Sequence, residues 1–215
     1  MTLIVEMPRT KPLPKRRQPK SYSEFTLQSV ESSFGIVART DTLFANVFQV
    51  IVPDWLRELL IRTSQVPLVS EKARSELIVM PVLLACRELS NNTISIFSGS
   101  RMDVDPEQGL QGECDFVLSR SPPVPELRAP LIAIVEAKKN DVESGLGQCV
   151  AQMIAARMLN AETHQQIPAV YGCVTTGEVW QFLRLDGSIA IIDRSRFYID
   201  NVAGVLGMFQ TIISR

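Results

Sequence analysis

Ile132-Ala133-Ile134-Val135-Glu136-Ala137-Lys138-Lys139 is the stretch from which the fold is read. Unbroken aliphatic residues running into Glu-x-Lys describe a strand buried on both faces that ends in a charged pair. Alternation puts Glu136 and Lys138 on one face. This is the only (Asp/Glu)-x-Lys in the chain. Alone, such a pair is an ordinary ion pair at a strand end. Upstream, Cys114-Asp115-Phe116-Val117-Leu118 sets Asp115 inside a second apolar run. A carboxylate there must be paired, hydrogen-bonded or bound to a cation, because burying it bare is too costly. Two neighbouring strands can bring Asp115 and Glu136 to one point, and hard divalent cations take oxygen ligands of this kind.

Outward from these strands, helical spacing recurs. After the candidate cap Ser70, residues 71–89 predict an amphipathic helix interrupted at Pro81. Residues 41–62 carry Leu43, Val47, Val50, Leu56, Leu59 and Leu60 at helical spacing, broken by Pro53. Short strands are expected at Thr93–Phe97, Cys114–Ser119 and Leu131–Ala137. A helix over 141–160 follows, then strands at Ala169–Thr175, Glu178–Leu185 and Ser188–Ile192, and a last helix over Val202–Ile213. Short links favour antiparallel pairing of the early strands, and the long helical crossover favours a parallel neighbour next. The expectation is an α/β domain with a mixed sheet flanked by helices.

Charge is unevenly distributed. Residues 1–20 hold Arg9, Lys11, Lys15, Arg16, Arg17 and Lys20 against Glu6, a net +5, while the remainder carries −6. Four prolines disfavour helix there, so this stretch reads as a flexible basic arm suited to phosphates, with residues 21–215 as one domain. No apolar run approaches the roughly 20 residues of a membrane span, so no membrane partner is expected. The N-terminus lacks an export-signal layout, and Cys86, Cys114, Cys149 and Cys173 form no CxxC pair. Buried thiols in a reducing, cytoplasmic setting are therefore expected. Glycine-rich phosphate loops are absent from the sequence. Trp180 and Phe182 share a strand face and read as core. His164, the single histidine, reads as a surface turn residue.

Asp115, the twenty residues after it and Glu136-Ala137-Lys138 resemble the PD-(D/E)XK motif of the restriction-endonuclease-like nucleases. The resemblance covers about residues 70–185 and lacks the proline that often precedes the aspartate, since Cys114 stands there. It implies an αβββαβ core, in agreement with the element order above, carrying an extra C-terminal hairpin and helix. It implies a Mg²⁺-dependent nuclease (Mn²⁺ substituting) that hydrolyses phosphodiester bonds, with DNA as the favoured partner and a homodimer as a common assembly. Asp115, Glu136, Lys138 and Gln148 would be catalytic. Glu76, Asp115, Glu136 and the Ala137 carbonyl would hold the metal, with Glu71 competing for the place of Glu76. Gln152 shares a helix face with Gln148. Lys139, Lys15, Arg16 and Arg17 would touch nucleic acid. The alternative is a non-catalytic binding or assembly module on the same scaffold.

Overall fold

The strand that ends in Glu136 lies in the middle of a mixed sheet. The computed structural model describes residues 19–165 and 167–215. Among them the sheet has seven strands: β1 (Val37–Asp41), β2 (Ser95–Arg101), β3 (Glu113–Ser119), β4 (Leu131–Ala137), β5 (Val170–Thr175), β6 (Val179–Asp186) and β7 (Ile189–Tyr198). Their spatial order is β1-β7-β6-β5-β4-β3-β2. The β2–β3–β4 and β5–β6–β7 neighbours are antiparallel, and β4–β5 and β1–β7 are parallel.

Helices cover both faces of the sheet: α1 (Leu27–Phe34), α2 (Asp54–Thr63), α3 (Glu71–Arg74), α4 (Met80–Leu89), α5 (Glu143–Glu162) and α6 (Val202–Ile213). One core holds Leu56 of α2, Val82 and Leu83 of α4, and Leu206 and Phe209 of α6 against Phe116, Val135 and Trp180. The other packs Val30 of α1 and the α5 residues Val150, Met153 and Ile154 on Val117 and Ile134. Trp180 and Phe182 are fully buried, each meeting Phe209 edge-on, and all four cysteines are buried and free. No described helix is long and apolar enough to cross a membrane.

Residues 71–89 run as one helical rod from the cap at Ser70, whose hydroxyl accepts the Ala73 N–H. The rod widens over Ser75–Val79, where Met80 N–H reaches back to Ser75 O. Pro81 explains this: it offers no N–H to the Leu77 carbonyl. The Thr63 hydroxyl of α2 donates to that oxygen instead, at 3.3 Å.

Two expectations need correction. Residues 41–53 are not helical, and the helix begins only at Asp54. Leu43, Val47 and Val50 still pack on the core, as anchors of a non-helical segment lying over α6. At Gly207 a Cβ would meet Phe48 O, so glycine permits this close approach. The last strand is also longer than apolar alternation suggested. Its polar half, Asp193 to Arg196, continues the ladder until Tyr198 faces Val179. The elements α1 and β1 were not anticipated; β1 is mostly exposed and α1 buries only Val30.

Helix α5 is buried almost all round from Gly145 to Ala156, because the sheet lies on one side and the segment around Phe25 and α1 on the other. Near its end, Asn160 behaves like a piece of strand. Its Nδ2 donates to Leu131 O at 2.8 Å and its Oδ1 accepts Leu131 N–H at 2.7 Å. Asn160→Ala leaves both buried backbone groups unpaired and should cost about 2–3 kcal/mol, read as a lower denaturant midpoint at unchanged slope.

Lys15, Arg16 and Arg17 lie outside the described residues. Lys20 is already tied down, its carbonyl accepting from Gln111 Nε2 at 2.9 Å.

Candidate functional site

The β3–β4 ladder runs through Phe116 opposite Val135, which places Asp115 opposite Glu136 at the next step. There a carboxylate takes over as the acceptor, and Ala137 N–H donates to Asp115 Oδ2 at 2.7 Å. The two carboxyls are close enough for each to act on the other's charge.

Glu136 is only 2% exposed. Its Oε1 accepts from Lys138 Nζ at 2.8 Å and its Oε2 from Gln152 Nε2 at 2.9 Å. The same ammonium donates to Gln148 Oε1 at 3.0 Å. Gln148 and Gln152, one turn apart on α5, thus hold the two charged ends of the Glu-x-Lys pair. Gly145 makes room for this arrangement, since a Cβ there would lie 2.6 Å from Val174 Cγ1 and 3.1 Å from two carbons of the Lys138 stem. Gln152 Oε1 is buried and has no partner among the described residues.

The electrostatics follow from burial. Desolvation, and then repulsion from Asp115, push the Glu136 carboxyl up to about 7, against the pull of Lys138 and Gln152. Burial likewise raises Asp115, although the Ala137 N–H and Lys138 draw it down. Burial works against the Lys138 ammonium, but Glu136 outweighs it and the group is raised. Lys138 is therefore a cation, not a ready base, near neutral pH.

A cavity of about 500 Å³ opens beside Asp115, between the β2–β3 edge and the start of the 71–89 rod. Glu71, Glu76, Glu113 and Asp115 line it with Lys72, so its field is negative. Glu76 stands on its wall, 62% exposed and 3.8 Å from Lys72 Nζ. Glu71 is half-buried and adds to the field at Lys138. Lys139 is exposed and lines a separate polar cleft with Arg74 and Arg196. Asp115, Glu136, Lys138 and Gln148 are thus brought together, Glu76 shares the cavity with Asp115, and Lys139 stands apart. Gln152 as the second partner of Glu136 was signalled only by its spacing from Gln148.

The donor set suits a hard cation: oxygens only, two adjacent carboxyls, and a negative cavity beside them. No three His, Cys, Asp or Glu side chains among the described residues gather into a metal-holding group. A cation here would have one or two carboxylates from the protein and would keep waters or substrate oxygens, as Mg²⁺ commonly does. A scan against protein-family models and a search of curated proteins find no match to this chain.

Proposed function

We propose that this protein is a metal-dependent nuclease of the PD-(D/E)XK type, using Mg²⁺ and acting on DNA. The observation that carries this reading is the meeting of Asp115 and Glu136 at the ends of adjacent strands, with Lys138 bonded to both Glu136 and Gln148. The run from the 71–89 helix through β2, β3 and β4 to α5 and β5 supports it, following the expected αβββαβ order.

Asp115 and Glu136 would hold the ion, with the Ala137 carbonyl and a carboxylate of the cavity wall, Glu76 or Glu71, within the same neighbourhood. When bound, Mg²⁺ supplies Lewis-acid activation of the phosphate and of a water. Lys138 keeps its proton and so serves to orient the attacking water and to stabilise negative charge on the phosphorane. Gln148 fixes the ammonium without adding charge. Gln152 turns the Glu136 carboxylate and excludes water from its inner edge.

A second reading is favoured by one observation: Glu136 has both oxygens engaged by Lys138 and Gln152. Such a closed network also suits a non-catalytic binding module. Two measurements separate the readings. Calorimetric titration of Mg²⁺ or Mn²⁺ should give heat with wild type and none with Asp115→Ala. Plasmid and single-stranded DNA with metal should be cleaved, and Lys138→Ala should lower the rate about 100-fold while remaining folded. Equal, negligible heats and no cleavage would assign the binding module.

A further inference from the structure

A second cavity, of about 280 Å³, lies at the opposite end of the sheet, where β4 begins and β3 and β6 end. Arg120, Arg184 and Arg215 line it above an apolar floor that includes Ile132, Tyr171 and Ile212. The floor is almost fully buried. No aspartate or glutamate lines this cavity among the described residues.

Each arginine is held in place. Arg120 Nη2 donates to Ile213 O at the end of α6, at 3.0 Å. The turn that follows brings Arg215 round, and its guanidinium sits 4.7 Å over the Phe44 ring. That ring in turn stacks on Tyr171. Arg184 uses Nη2 on the exposed Asp186, and its Nε is buried with no acceptor among the described residues. That Nε is shut off from solvent, so a bound oxyanion would meet the Nη groups of the guanidiniums instead.

We infer that this cavity binds the terminal phosphate of a small phosphomonoester. Three guanidiniums outweigh the carboxylate of Asp186, so the cavity keeps a positive field that attracts a phosphate group. Guanidinium forks suit tetrahedral oxyanions in geometry as well as charge. The apolar floor gives the ester group a surface that a free anion cannot use. At the small end of ligand-cavity sizes, the space excludes a polymer seated within it. The inference is independent of the carboxylate site, which lies at the other end of β4.

Calorimetry with phenyl phosphate and with inorganic phosphate tests it. The expected result is one phenyl phosphate per chain, bound at least tenfold more tightly than inorganic phosphate. Arg184→Gln and Arg215→Gln should each weaken that binding at least tenfold. Arg215 is exposed, so its variant keeps the test alive if the Arg184 variant fails to fold. Equal affinity for the two probes would overturn the ester assignment. No binding of either at millimolar concentration, or unchanged affinity in the folded variants, would overturn the site.

Discussion

Glu136→Gln should make the metal-free protein more stable at pH 8, by about 3 kcal/mol, and by only about 1 kcal/mol or less at pH 5. The sign comes from linkage. In the unfolded chain the group titrates near 4.5, and in the fold near 7. Between those values the folded state binds more protons, so wild-type stability falls as pH rises from about 4.5 through 7 and then levels off. A shift of that size corresponds to roughly 3 kcal/mol at about 1.4 kcal/mol per unit. The raised value already includes the attraction of Lys138, so the loss of that attraction is not a separate cost. Glutamine keeps an acceptor for the ammonium. The unpartnered Gln152 Oε1 can accept from the new amide once Gln152 turns. Thermal melts at the two pH values check the prediction, with several degrees expected at pH 8. A variant less stable than wild type at pH 8 would show that the Glu136–Lys138 pair mainly holds the fold together. Adding Mg²⁺ should narrow the gap by stabilising wild type alone.

Gly147→Ala should destabilise by roughly 3 kcal/mol or more, although helix propensity alone favours alanine by about 1 kcal/mol. The reason lies outside the helix. A Cβ at 147 would sit 2.4 Å from Thr26 C and 2.5 Å from Phe25 O. Both are backbone atoms, so no side-chain rotation relieves the clash. The segment carrying Tyr22, Phe25 and α1 would have to lift from α5, exposing Tyr22 and Phe25, which are 1% and 3% exposed in the fold. Denaturant melts and faster proteolytic release of the N-terminal segment are the readouts. An alanine variant as stable as wild type would show that this segment does not rest on α5.

The contrast at Gly147 shows what kind of information each level carries. The central strands and the helices α5 and α6 could be read along the chain because their apolar periods are long and their boundaries carry turn residues. Asp115, Glu136 and Lys138 stood out for a related reason: a charge inside an apolar strand must find a partner. The span 41–53 misled because Leu43, Val47 and Val50 keep helical spacing while serving as anchors of a non-helical stretch over α6. Strand β1 left no signal, since an exposed edge strand needs no alternation.

Local pattern along the chain was enough for the α/β order, the mixed pairing and the two strand ends that carry the carboxylates, because these depend on local period and on the cost of burying charge. Long-range packing alone makes Gln152 the second partner of Glu136 and brings three distant arginines to one cavity. Those contacts join residues remote along the chain. They depend on register and on where the helices sit against the sheet, which no local pattern encodes.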